Sequence, residues 1–377
     1  MKNLKNKTLT YKKMLKMRVP KSIYKKYYLN IIQYSTFVFF TKLYEKIILG
    51  IISIFAHFLI RASSQSQKAK RKKVVLNVFE KFWANDYNFV WLSTAFYMLI
   101  SFVSVIYIVN FLNISINDNI HAFTNYVSPF YQNAVANGNA SESVFQSLFN
   151  ITIFNKFIPG SDLYFSPQNN VIVNSTLNKL YSLIPGSFVA IPSLYIAAGG
   201  YGKLITSFNV IYSHERIGTY WGNKVKGLFL VIVVSVILWG LSTIHIFVQA
   251  RVFISHSLID SAFNDFLYIL FTIIFFVLTF LFLFKLTPSF KLNFNSIYRG
   301  MIISTTPTVL LVIIYTYLNK LFSYSKYGAA VGFFFSIGFF VNWYVYFMFL
   351  GIIFNNAYYK SYISTRTMPK RIHAWLF

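Results

Sequence analysis

The chain has 377 residues, of which 56% are hydrophobic and only 12% charged, with a mean hydropathy of +0.53. A soluble domain carries about a quarter charged residues, so this composition excludes an ordinary globular protein. The absence of cysteine excludes disulfides, thiolate catalysis and Cys-ligated metals, while the net charge of +26 must be located before it points to a partner.

Met1 to Tyr28 is rich in lysine and contains no acid. Such a segment is a solvated tail, a polybasic contact with anionic headgroups of the membrane, or an RNA-binding arm. No apolar run stands close enough to the start to be a cleavable signal core. Ile31 to Ile60 is apolar but broken by Lys42, Glu45 and Lys46, and its uninterrupted part, Ile47 to Ile60, is shorter than the roughly 20 residues needed to span a bilayer. It predicts one or two amphipathic helices lying in the interface. Arg61 to Lys73 predicts a polar linker. This gives a basic extension over 1–73, a membrane domain over 74–359 and a basic tail over 360–377.

Six transmembrane helices are expected within that domain, at about 91–112, 180–207, 227–248, 266–284, 300–319 and 331–355. Helices satisfy their own backbone in lipid, so the fold class is an all-α integral membrane protein. With the N-terminus placed inside, all of the 35 basic residues except Lys156, Lys179, Arg251, Lys320 and Lys326 fall on the cytoplasmic side. That asymmetry predicts cytoplasmic N- and C-termini in a multi-pass cell-membrane protein, and accounts for the charge without a specific nucleic acid. The long outer connection, Asn113 to Leu180, holds two helical patterns, Val144-Phe145-Leu148-Phe149 and Val173-Leu177-Leu180-Tyr181, which would lie along the outer interface or cap a cavity.

The stretch Leu183–Lys226 combines an apolar span with Pro185, Gly186, Pro192, Gly199, Gly200 and Gly202, then reaches Lys203, Asn209 and the polar cluster His214-Glu215-Arg216. Proline and glycine here either break the helix at a site or let neighbouring helices approach. No hydrolytic or phosphate-cradling motif occurs. The six histidines form no metal-ligand pair at zincin spacing, so neither a metal nor a cofactor is expected. The nine acids all lie outside the uninterrupted apolar cores, against a carboxylate-driven pump. His245 could titrate inside a span, or bond Gln249 or a backbone carbonyl.

Several of these residues together resemble the YihY/BrkB family of bacterial inner-membrane proteins, historically labelled ribonuclease BN. The resemblance runs through Leu92-Ser-Thr-Ala95-Phe-Tyr97 to Ser101, Leu194 to Tyr212 with Glu215-Arg216 and Tyr220-Trp221, then Pro288, Gly300, Tyr327-Gly328, Trp343 and Leu350-Gly351. It covers about Val75 to Tyr359. The chain departs from it at Val103-Ser104, where the family usually has proline, and in its longer outer loop and lysine-rich extension. The resemblance implies a six-helix membrane domain with a transport-like or envelope-related role. The ribonuclease label finds no His/Asp metal cluster to support it, so the chain is expected not to be an enzyme.

Two functions fit these residues. In the first, the chain is permease-like and moves a membrane lipid or another amphipathic small molecule. Pro192 and Pro307 would then break the middle helices of two inverted halves, and Lys203, Asn209, Tyr212, Glu215 and Arg216, with His245, would mark the substrate path. In the second, it is a non-catalytic scaffold or assembly factor for envelope proteins, whose basic tail recruits a cytosolic partner. Gly199, Gly200 and the pattern Gly328-x-x-x-Gly332 then mark close helix packing, within the chain or, for the pattern, in a homo-oligomer.

Overall fold

The computed structural model describes residues 43, 45–83, 85–119, 148, 149, 152, 153, 186–214, 218–256, 261–319 and 329–368. The chain divides into two units, Met1–Ala62 and Ser63–Phe377. In the first, residues 45–59 form helix α1, which carries exposed Ile47, Ile51, Ile54 and Phe58. In the second, α2 is Gln65–Trp83, α3 Asn85–Asn119, α4 Gly186–Ile211, α5 Tyr220–His256, α6 Ser261–Leu286, α7 Phe294–Asn319 and α8 Ala329–Tyr362. All regular structure among the described residues is helical.

The expected polar linker over Arg61–Lys73 is corrected by α2, and the packing boundary lies at Ala62/Ser63 rather than after Lys73. The reason is an N-cap at Ser64, in a variant of the capping box whose return bond reaches the residue before the cap. The Gln67 N–H donates to Ser64 Oγ at 3.2 Å, and the Gln67 side-chain oxygen accepts from the Ser63 N–H at 3.0 Å. These bonds occupy amides that a helix start otherwise leaves bare, and Lys, Arg and Gln then propagate it well. Thr219 does the same for α5, accepting from the Gly222 N–H at 3.2 Å.

Among the described residues, five helices are long and apolar enough to cross a bilayer: Val90–Asn113, Tyr220–Val252, Phe263–Leu286, Phe294–Thr316 and Ile337–Tyr362. The sixth expected span is α4, whose 26 residues reach about 39 Å. Glycines, Lys203 and Asn209 dilute its apolar character. Outward faces carry Phe96, Phe111, Ile232, Phe247, Ile274, Leu310 and Phe339, as lipid contact requires. Hydroxyls on these helices bond back to carbonyls four residues earlier, among them Thr94 at 2.8 Å, Ser235 at 2.8 Å and Thr308 at 2.7 Å. A hydroxyl so paired enters lipid at low cost.

Helices α3, α5, α6, α7 and α8 pack in a ring, each on the next and α8 back on α3. Helix α4 lies against α3 and α5. The tightest crossing joins α7 to α8. A Cβ on Gly300 would collide with the Gly351 carbonyl and the Asn355 amide, and one on Gly351 with Ser304 Oγ and the Gly300 carbonyl. Around this crossing the Gly300 N–H donates to Asn355 Oδ1 at 2.7 Å, and Asn355 Nδ2 to the Ile297 carbonyl at 3.1 Å. Ser304 Oγ donates to the Phe347 carbonyl at 2.9 Å.

Candidate functional site

Neither proline breaks its helix. Both α4 and α7 run through Pro192 and Pro307 without an unwound turn, which corrects the expected discontinuity. The two helices do not share a packed face: α4 lies chiefly against α3 and α5, and α7 against α6 and α8. Pro192 is exposed.

The expected substrate path also divides, for a reason written into helix geometry. At 100° per residue, Asn209 stands about 240° and Tyr212 about 180° around α4 from Lys203, so they face different neighbours. Asn209 is fully buried and forms a reciprocal pair with Ser289 in the α6–α7 connection. Its Nδ2 donates to Ser289 Oγ at 3.0 Å, and its Oδ1 accepts from the Ser289 N–H at 3.1 Å. Tyr212 packs its ring on Phe290 at 4.8 Å and on Tyr359 at 6.2 Å. These two residues hold the helix end and do not line a mouth.

That end is closed by four segments. Ser213, at φ 55°, donates its N–H to the Val210 carbonyl, and His214 donates to Asn209, each at 2.9 Å, forming a Schellman cap. The Ile211 carbonyl accepts from Lys81 Nζ of α2 at 3.0 Å and from Asn356 Nδ2 of α8 at 2.8 Å. Lys360 donates to Ser213 Oγ at 3.0 Å, and His214 Nδ1 meets Thr367 Oγ1 at 2.6 Å. The Lys291 N–H donates to the Met368 carbonyl at 2.8 Å, so the first part of the expected basic tail is packed in place. Glu215 and Arg216 lie outside the described residues, as does Gly328.

Burial lowers the Lys81 ammonium to about 8, with the nearby Lys360 charge adding to the effect. Because the folded chain binds fewer protons than the unfolded one between about 8 and 10.5, stability rises across that window and the penalty is complete below it. Thermal unfolding in detergent should therefore shift upward as pH is raised from 8 to 10.5. Lys81→Gln, which retains a donor, should flatten the slope. An unchanged slope in that variant would refute the assignment to Lys81.

Lys203 and Gly199 lie elsewhere, in a groove of about 480 Å³ between α3, α4 and α5. Its lining includes Tyr97, Tyr195, Thr206, Tyr220, Asn223 and Lys224. Lys203 Nζ sits 3.8 Å from the Tyr97 ring centre and donates to the Tyr97 hydroxyl. Lys224 Nζ sits 2.9 Å from the Tyr195 ring centre and donates to the Tyr220 hydroxyl at 3.4 Å. Only 7% of Lys224 is accessible, and the rings of Tyr195, Tyr220 and Trp221 lie around its ammonium. Asn223 Nδ2 donates to Thr206 Oγ1 at 3.2 Å along the floor. Nothing lies within 4 Å of a Cβ built on Gly199, so that glycine opens the groove rather than packing helices. Gly200 does pack, its Cβ position 2.9 Å from Tyr97 Cβ. Gly332 falls within α8.

A second space of about 110 Å³ lies inside the bundle. Val105 of α3, Tyr201 of α4, Val234 of α5, Phe276 and Thr279 of α6 and Tyr344 of α8 are on its wall. Phe149 and Ile153, from the connection between α3 and α4, are also there. His245 packs on Phe271 at 5.1 Å and is about 31 Å along α5 from Lys224, far from the groove. No group of three or more metal-ligating side chains occurs among the described residues.

A bundle of membrane-length helices, with an apolar cavity inside and a cationic groove on one flank, defines a polytopic membrane protein. Within that class the chain belongs to the virulence factor BrkB family, whose family model matches residues 78–372. No curated protein and no solved structure matches the chain.

Sequence reasoning missed Lys224, counted only for its charge, and Tyr195. The signal for the former was the run Tyr220-Trp221-Gly222-Asn223-Lys224, which sets a lysine one turn from two interfacial aromatics.

Proposed function

We propose that the chain is a permease-like protein of the cell membrane, with both termini cytoplasmic, that moves a lipid or another amphipathic small molecule. The observation that carries this reading is the cavity inside the helix ring. Its wall is almost wholly hydrocarbon and aromatic, and the Thr279 hydroxyl finds no hydrogen-bond partner there. A sugar or hydrated ion would need several converging polar groups, which this wall lacks. At about 110 Å³ the space is smaller than the roughly 150 Å³ apolar cavity that admits benzene, so it suits a short hydrocarbon segment. The scaffold alternative has less support, because Gly200, Gly227, Gly300 and Gly351 make their close contacts within this chain.

Reconstituted vesicles test the proposal. Labelled phospholipid should cross faster than in protein-free vesicles, and equally fast with or without a proton or sodium gradient, since no carboxylate lines the cavity among the described residues. Equal crossing in the two preparations would remove the transport reading.

A further inference from the structure

From the groove between α3, α4 and α5 we infer a binding site for the phosphate headgroup of an anionic membrane lipid, formed by Lys203 and Lys224. The inference deepens the proposed lipid-handling role and rests on that reading. Among the described residues, both ammonium groups meet only aromatic faces and neutral hydroxyls: Tyr97 for Lys203, and Tyr195, Tyr220 and Trp221 for Lys224. No carboxylate lines the groove among those residues. Lys224 is shielded from water by rings that only partly offset the desolvation of its charge, and Lys203 on the same groove is open to solvent, so the two cations are arranged for an anion that arrives from outside. Lys224 also lies one turn into α5, where the positive end of the helix dipole adds to its charge.

The shape identifies the rest of the ligand. Gly199 keeps the groove open at its centre, and Thr206 and Asn223 supply neutral hydrogen-bonding groups on its wall. Beside the lysines the groove is lined by Tyr195 and Ile196 of α4, which are 55% and 41% exposed and continue it as an apolar surface. A free anion would use the lysines alone. A molecule with a phosphate head and a hydrocarbon tail would use both surfaces. Tyr220 and Trp221, 68% and 66% exposed, stand at the level where amphipathic rings meet headgroups.

The test uses the full chain in nanodiscs, with phospholipid probes that carry a photoreactive group on the acyl chain. A phosphatidylglycerol probe should label peptides of α3, α4 and α5 around the groove, and a phosphatidylcholine probe should label them much less. Lys203→Gln together with Lys224→Gln should lower that labelling about tenfold, the loss expected for charged contacts, whereas Lys72→Gln on α2 should not change it. Lys203→Gln alone, at an exposed side chain, should give a smaller drop, and covers the case in which the double variant folds poorly. Equal labelling by both probes, or undiminished labelling in the lysine variants, would overturn the site. Complete competition by excess inorganic phosphate would reassign it to a free anion and overturn the lipid headgroup. Lost headgroup preference with lipid flux intact rejects this site only, while intact labelling without flux rejects transport only.

Discussion

Gly351→Val should leave no properly folded protein, with a cost of about 3 kcal/mol or more against the few kcal/mol by which membrane bundles persist. The valine Cβ would occupy the space of Ser304 Oγ and of the Gly300 carbonyl. Backbone cannot swing aside as a flexible side chain can, so α7 and α8 would have to separate along their closest crossing. Separation would also break the bonds from the Gly300 N–H to Asn355 and from Ser304 to the Phe347 carbonyl. Gly338, on the same helix α8, is the control: nothing lies within 4 Å of its Cβ position. Gly338→Ala should be neutral or stabilising by about 0.5–1 kcal/mol, because alanine is the better helix former. Size exclusion of solubilised protein with a thermal ramp reads both. Monodisperse Gly351→Val with an unchanged midpoint would disprove the crossing.

The second large effect belongs to Asn209. Asn209→Ala removes the acceptor of the Ser289 N–H and the donor to Ser289 Oγ, both buried. Leaving buried polar groups unpaired costs about 1–3 kcal/mol each, so the loss from the two should total about 2–6 kcal/mol. The α6–α7 connection should loosen with it, since Lys226 Nζ, on the Thr287 and Pro288 carbonyls at 2.8 and 3.2 Å, would be left as a prominent side-chain tie. Hydrogen exchange over 287–293 should rise in the variant. Ser207→Ala, two residues earlier on the same helix, removes only a bond to the Lys203 carbonyl and should change neither readout. Exchange that stays at the parent level would show that the pair does not anchor the connection.

How much of this was legible follows from which physical signals are local. Apolar runs bounded by Lys and Arg are local, and the expected spans agree with α3 and α5–α8, each helix extending a few residues beyond the apolar run. The α2 helix was hidden by its polarity, although Ser64 and Gln67 already stood at capping-box spacing. The role of Gly300 and Gly351 lay beyond any local pattern, because a close crossing pairs residues far apart along the chain. The site divided for the same reason. Lys203, Asn209 and Tyr212 are neighbours in sequence, and the choice of which face meets α3, the α6–α7 connection or α8 belongs to tertiary packing. Pro192 and Pro307 looked like breaks because proline usually is one, yet both helices absorb it.

Lipid transport by this chain requires the cavity inside the ring to be a passage. Val341→Trp fills it from α8, whose Val341 shares the wall with Val105 and Phe276 and lines neither the Lys203 groove nor the Gly300–Gly351 contact. Flux of labelled phosphatidylglycerol through vesicles should be compared for the parent chain and this variant, with equal incorporation verified by size exclusion. A passage predicts measurable flux for the parent and a fall to the protein-free rate for Val341→Trp. Flux that is undiminished in the filled variant, or absent in both, would contradict it.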